Sequence, residues 1–407
     1  TPIMRGIFDP AQSVSAAWTP LALWPDGIAT PGMWISPRDL TSEWQDYTGT
    51  TPVVVPGTVA DTSNPVGLAL DIRAGATVLT DPGNHMLQST SAARPLASAR
   101  VNLLTYTEDL STGWANGNTG ISTGVTDPDG GTTAITLTAL NNTSQLFQTF
   151  SPAFTSATGS LWVRRRTGTG NITLYLTTPF NITSEITSAW SRIERSDSNV
   201  AILNIVIANM GDAIDIWHPQ LQIGTTATDY QSVPGDGSTY ATDFPIAQLY
   251  DGVDDGMATA AFTAGTLTSA MDCMIAVRRD SGAQCVAGLY SMPVGQYFGH
   301  AQAGSGGLCS VNVGTPTVWV DGVQLTGGTS VEPGTLNTAL TVGAWHIVEF
   351  RGLDLSSITQ AGWGDFGFGY SVNGARGDIM LYPSTDSTAD KDAARQYLAD
   401  YYGVTLP

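Results

Sequence analysis

The stretch Ser160-Leu-Trp-Val-Arg-Arg-Arg-Thr-Gly-Thr-Gly-Asn-Ile-Thr-Leu-Tyr-Leu-Thr177 decides the fold class. Leu161 and Val163 point opposite to Trp162, and Ile172, Leu174 and Leu176 alternate with Thr173, Tyr175 and Thr177. A period of two marks a strand with one buried face. The same alternation recurs at Ile135, Leu137 and Ala139, and at Ile214 and Ile216 against Asp215 and Trp217. Turn clusters such as Asp127-Pro-Asp-Gly-Gly131 separate the runs. No helical period intervenes between Val101 and Tyr230, so an antiparallel sandwich is expected there.

Working outward, Gln231 to Tyr240 has the composition of a linker. A second β domain is expected over 243–407, with strands at Met271 to Arg278, Thr317 to Val320, His346 to Arg351 and Gly377 to Tyr382. Asp321-Gly322 reads as the turn of a hairpin. The chain ends in its clearest helix, capped by Ser387, striped by Ala394, Tyr397, Leu398 and Tyr401, and stopped at Gly403. Residues 1–100 are different: Trp18, Trp24, Trp34 and Trp44 lie among prolines, with one short helix expected after Ser36-Pro37. The fold class is therefore all-β. Two antiparallel β-sandwich (jelly-roll) domains, 101–232 and 243–407, follow an irregular N-terminal attachment module, 1–100, and a short C-terminal helix ends the chain.

The composition excludes several functions. The 407 residues carry 16 Lys+Arg against 35 Asp+Glu, a net charge of −19. Nucleic acid is not an expected partner, because phosphate binding needs clustered cations. Lys391 is the sole lysine, which leaves almost no room for lysine-dependent chemistry such as Schiff bases. No apolar run approaches the ~18 residues of a transmembrane helix, so no membrane insertion is expected. Cys273, Cys285 and Cys309 cannot all pair and have no CxxC spacing; one bridge between two of them is compatible with the sequence, and buried thiols are the simpler reading. The chain begins at Thr1 without the basic-then-apolar pattern of a secretory signal, as a chain would after loss of an initiator Met.

Chemistry-bearing residues are sparse. Glycoside hydrolysis needs two carboxylates about 5–10 Å apart. The six glutamates, at 43, 108, 185, 194, 332 and 349, show no pairing on one strand face. Glu349, beside Trp345 and His346, is the best single candidate, although a structural role accounts for it more simply, since one carboxylate is not a mechanism. His85, His218, His300 and His346 are scattered without metal or triad spacing. Asp251, Asp254 and Asp255 offer hard oxygens for a structural calcium, although a tight turn accounts for them more simply. No other cofactor is expected. Arg164 and Arg166 share a strand face with Trp162 and suit an anionic sugar or an acidic subunit contact. Trp114 and Trp363 sit in loop-like sequence, where flat rings can stack on sugars or pack against other subunits. Arg376-Gly377-Asp378 spells an adhesion tripeptide by chance.

Three stretches carry a family likeness. Met33-Trp-Ile-Ser-Pro-Arg-Asp-Leu-Thr-Ser-Glu-Trp-Gln-Asp46, Asn64-Pro-Val-Gly-Leu68, Gly83-Asn-His85 and Ala92-Ala-Arg-Pro95 resemble the opening module of many bacteriophage virion proteins. Asn102 to Leu110 with Trp114, and Gly211 to Gly224 with Ala227-Thr-Asp-Tyr230, are similar to a carbohydrate-binding-module-like jelly roll of the same proteins; related jelly rolls hold a structural calcium near their first and last strands, and this resemblance implies Glu108-Asp109 and Asp212 as a second candidate group for it. Leu249 to Gly256, the Trp319 hairpin, Gly343-Ala-Trp-His346 and Ala394 to Gly403 resemble concanavalin-A-like (laminin-G-like) domains. The resemblance implies a non-enzymatic protein on the surface of a phage particle. It would be a tail fibre or receptor-binding protein, or a head-decoration or fibre protein. It would join other virion proteins through its N-terminal module, contact host-surface glycans, and form a homo-oligomer. Four tryptophans in an irregular segment call for burial against symmetry mates or a virion partner, and three-fold association is what the resemblance suggests. The alternative is a capsule-degrading tailspike-type glycosidase.

Overall fold

The computed structural model describes residues 18–73, 75–80, 83–261, 265–280, 284–286, 290–292, 296–297, 300–302, 313–325, 333–364 and 372–407. The chain divides into two compact units, one made of Arg100–Thr242 and the other of the chain up to Ala99 together with Asp243–Pro407. Among the described residues no helix is long and apolar enough to cross a membrane.

The first segment supplies five short strands: β1 (Met33–Ile35), β2 (Glu43–Trp44), β3 (Leu68–Ala69), β4 (Met86–Leu87) and β5 (Leu96–Ser98). The helix expected after Pro37 is not formed. Asp39 instead caps a single 3-10 turn, Leu40–Ser42, by accepting from the Thr41 N–H, and Trp44 pairs with Leu68 in a ladder.

The 100–242 unit follows, with β6 (Ala115–Gly117), β7 (Thr119–Val125), β8 (Ala134–Ala139), β9 (Ser144–Thr167), β10 (Ile172–Tyr175), β11 (Pro179–Asn181), β12 (Ser191–Ile207) and β13 (Ala213–Ile223). The antiparallel order is β11-β10-β12-β9-β13-β8-β7, with β6 also on β9. β9 and β12 pair from Val163↔Ser191 to Ser144↔Ile207, with an irregularity between Val200 and Ile202. On either side of it β9 has different neighbours: β6 along its first half and β13 along its second. Both halves feed one core, because Leu146, Leu161, Val163, Ile172, Leu203 and Ile214 belong to a single buried cluster. The period-two runs of the sequence are these inward faces.

The chain then returns with β14 (Ala247–Asp251), β15 (Gly256–Thr259), β16 (Met271–Arg279), β17 (Gln284–Val286), β18 (Tyr290–Met292), β19 (Gln296–Tyr297), β20 (His300–Gln302), β21 (Gly314–Val320), β22 (Val323–Gln324), β23 (Trp345–Leu353), β24 (Gln360–Gly364) and β25 (Asn373–Pro383). One large sheet runs β22-β21-β23-β16-β25-β14-β5, with β1 also on β25, a second runs β19-β18-β24-β15-β4-β3-β2, and β17 pairs β20 in a two-stranded ribbon. The facing sides of the first two bury Met33, Ile35, Met86, Cys273, Ile275, Phe350, Trp363 and Ile379 together. Asp321 and Gly322, both at positive φ, make the expected hairpin turn between β21 and β22.

Residues 18–99 therefore do not stand as a module of their own. Their strands extend both sheets of the C-terminal sandwich. The reason is physical: two- and three-residue strands cannot bury their own aromatics, whereas an open sheet edge offers both a ladder and an apolar face. Trp24 and Trp34 stack at 6.0 Å and are buried with Met380, Tyr382 and Leu398. Trp24 and Trp34 thus find their cover within the chain, while Trp18 and Trp44 are half-buried, so most of the reason given for symmetry mates falls away.

Among the described residues two α-helices complete this unit: α1 (Pro333–Ala339), which the sequence reading missed, and α2 (Thr388–Tyr402). Ser387 caps α2 by accepting from the Asp390 N–H, and Gly403 closes it at φ 70. α2 lies on the outer face of the first sheet. Lys391 bridges to Asp272 at 2.7 Å, and Tyr402 Oη donates to Asp378 at 2.9 Å.

Candidate functional site

The two loop-like tryptophans are not presented to a ligand. Trp114 lies in the core of the 100–242 unit, its indole N–H donating to the Tyr106 carbonyl at 3.3 Å. Trp363 is within β24, 1% exposed, with Tyr250 edge-on at 6.4 Å. Glycine-rich flanks suggested loops, but both rings are needed to fill sandwich interiors, and neither can stack on a sugar.

The residues read from β9 behave differently. Leu161 and Val163 face the core, so Trp162 and Arg164 face outward, and on β13 Asp215 and Trp217 do the same. The register places Asp215 beside both Arg164 and Thr136, and Trp162 between Trp217 and Arg192. A ladder irregularity between Ala213 and Ile214 accompanies Arg166, which also reaches Asp215. Asp215 is 1% exposed. Its Oδ1 accepts from Thr136 Oγ1 at 2.5 Å and from Arg166 Nη1 at 3.2 Å, and its Oδ2 accepts from Arg164 Nε at 2.8 Å. The Arg164 guanidinium also sits 4.7 Å from the ring of Trp190, which is partly exposed, as is Trp162. The Arg166 side chain is half exposed. Arg165 points elsewhere, donating to the Gly170 carbonyl at 2.9 Å.

Beside this patch an aromatic column continues. His218 lies between Trp217 and Tyr230, with ring centroids at 3.3 and 3.8 Å, and has φ 52. Burial pushes its pKa down to about 4, against the opposing pull of Asp127, so the imidazole is neutral at pH 7. The face thus offers two partly exposed flat rings, Trp162 and Trp190, and two guanidiniums fixed by one carboxylate. The sequence placed Arg164, Arg166 and Trp162 on one face. Trp190 was missed, since nothing local marks it.

Other candidates have structural work. Glu349 is fully buried beneath α2, accepting from Arg351 Nη2 at 2.7 Å and Arg395 Nη2 at 3.2 Å. Held between two guanidiniums, it has no exposed face to act as acid or base. His346 Nε2 accepts from the Thr341 N–H at 2.9 Å, so Nδ1 carries the proton and donates to Asp321 at 2.6 Å. His85 Nδ1 accepts from the Asp71 N–H. Arg376 and Asp378 of the adhesion tripeptide are both buried. Cys273 is buried with its thiol pKa raised, first by burial and then by Asp272. Cys309 and the side chains of Cys285 and His300 lie outside the described residues.

Asp251, Asp254 and Asp255 bring carboxylate oxygens within 4.8 Å of one another. Asp251 Oδ1 accepts from the Val253 N–H and Asp255 Oδ2 from the Asp251 N–H, the bonds of a closed turn. Burial, with Asp251 and Asp254 nearby, raises the Asp255 pKa to about 7. The oxygens are of the kind calcium takes, and nothing beyond their clustering points to an ion. Glu108 and Asp109 are not joined by Asp212: they are engaged by Tyr230 and by Ser111, while Asp212 accepts from the Gly170 N–H.

Neither a protein-family model nor a curated protein sequence matches this chain. Solved structures similar to it include the N-terminal CBM22-1-CBM22-2 tandem domain of Xyn10C from Paenibacillus barcinonensis, at 10% identity and a TM-score of 0.24, covering 70% of this chain and 99% of that one. The ANXUR2 extracellular domain from Arabidopsis thaliana matches at 8% identity and a TM-score of 0.17, covering 71% of this chain and 95% of that one. Likenesses this slight carry no functional argument, and the all-β assignment stands on the strand pairing itself.

Proposed function

We propose that this chain is a non-catalytic surface protein of a bacteriophage particle, of the tail-fibre, receptor-binding or head-decoration type. In this reading it contacts host-surface glycans through the outer face of the 100–242 unit. The observation that carries the glycan reading is the pairing of partly exposed Trp162 and Trp190 with Arg164 and Arg166, both anchored on Asp215. Flat rings present a face to sugar C–H groups, and fixed donors set orientation. The setting on a virion, with attachment to other virion proteins and a trimeric state, rests on the sequence resemblance alone.

Binding of the intact protein to an array of bacterial surface glycans tests the reading. Trp162→Ala is expected to lower affinity at least tenfold with little change in melting temperature. Unchanged binding would sink it. A density map of the intact particle tests the location and the symmetry. Against the glycosidase alternative stands the burial of Glu349 between Arg351 and Arg395. Release of reducing ends from capsular polysaccharide would restore that alternative.

A further inference from the structure

We infer that the ligand of this face is acidic: a glycan whose carboxylate or phosphate docks on the guanidiniums of Arg164 and Arg166. The inference rests on the glycan reading above and narrows it. Its first support is local charge. Two guanidiniums share the single carboxylate of Asp215, so the cluster keeps one positive charge on a chain of net charge −19. Nearby arginines do not repeat this. Arg192 is matched by Glu194 and Arg195 by Glu185.

The second support is the inventory of donors. Arg164 uses Nε on Asp215 and Arg166 uses Nη1 on Asp215 and Thr136. Both Nη groups of Arg164, and Nε and Nη2 of Arg166, make no hydrogen bond among the described residues. Asp215 is already filled by Thr136 and the two arginines. What the cluster still offers a ligand is therefore N–H donors and no acceptor, and a charged acceptor gains most from them. The arginines are also held before any ligand arrives, Arg164 by Asp215 and the Trp190 ring, which lowers the ordering cost of binding. The acidic remainder of the protein does little to oppose an anion here. At physiological salt its field decays over about 8 Å.

The test uses the full-length protein and surface polysaccharides of host-range bacteria in three forms: native, carboxyl-reduced and dephosphorylated. The expected result is a loss of at least tenfold in affinity on one of the two treatments, which also identifies the anion as uronate or phosphate. Arg166→Gln should abolish the difference between native and treated polymer while leaving the melting temperature unchanged, and rising salt should weaken native binding alone. Binding that survives both treatments, yet is lost in Trp162→Ala, would overturn the acidic class and leave the glycan contact standing. Binding to none of the three forms would sink both. Self-association lost in Arg166→Gln would assign the face to a second copy of the chain and overturn the inference as well.

Discussion

The two units are both antiparallel sandwiches, but they hold most of their few cations at different depths. In the 100–242 unit, Arg166, Arg192 and Arg195 lie at the surface. In the other unit, Arg73, Arg376, Arg395 and Lys391 are turned into the packing. The difference follows from chain continuity. One continuous stretch with two long strands closes the first core by itself. The second is assembled from two stretches separated by the whole of the first unit, and polar cross-ties mark the joins. Glu43 of β2 accepts from Gln248 of β14, whose oxygen accepts from Arg376 of β25 and, at 3.1 Å, from Tyr250. Asp378 of β25 accepts from the indole of Trp34 at 2.9 Å and from Tyr402. A buried pair adds little net stability over an apolar one, yet breaking it is costly, so such ties penalise wrong docking of the first segment.

The comparison breaks most visibly by truncation. Residues 100–242 expressed alone should fold cooperatively, with dispersed amide resonances and a sharp melt. Residues 243–407 alone, lacking β1 to β5 from both sheets, should not. A native-like spectrum from 243–407 would show that the first segment is dispensable. Next in size are single core changes. Glu349→Ala leaves the buried Arg395 and the partly buried Arg351 without their shared carboxylate and should cost about 3–5 kcal/mol in the two-stretch unit. Trp114→Ala should cost about as much, ~3–5 kcal/mol, in the 100–242 unit. In calorimetry each variant should lower one transition and leave the other in place; movement of both would mean the units do not melt separately.

A third effect is a divergence with pH. Burial raises the Glu43 pKa to about 8, opposed by the Gln248 bond and by Arg376, with Asp39 and Asp378 adding to the rise. Asp255, at about 7, and Asp386, at about 6, are raised too. For such groups the folded state binds more protons than the unfolded chain between the two pKa values. Their unit should therefore lose stability as pH rises from about 4.5 toward 8. His218 has the opposite sign. Its folded pKa lies near 4 against 6.5 unfolded, so stability present above 6.5 is lost as pH falls toward 4. The two melting transitions should thus move in opposite directions between pH 6.5 and 4.5, and Glu43→Gln should flatten the slope of the first. Parallel movement would contradict the assignment. The smallest expected change is Arg195→Ala. Its ion pair with Glu185 is surface-exposed, and removal should shift stability by about 0–1 kcal/mol.

Much of the architecture was already written in local pattern. Period-two alternation at 135–139, 161–163, 172–177 and 214–217 determined the strands and their inward faces. Asp321-Gly322 determined a hairpin, and Ser387 with Gly403 determined where α2 starts and stops. Those features depend on neighbours a few residues away, so the sequence alone could carry them. Tertiary structure decided which face covers which. Trp114 and Trp363 became core, Trp162 became surface, and residues 18–99 became part of the C-terminal sandwich. It also decided that Arg164 meets Asp215 across 51 residues, and Trp34 meets Asp378 across 344. Alternation says that a strand has an apolar side, but the partner that buries it is chosen by packing between segments far apart in the chain, where no local periodicity reaches.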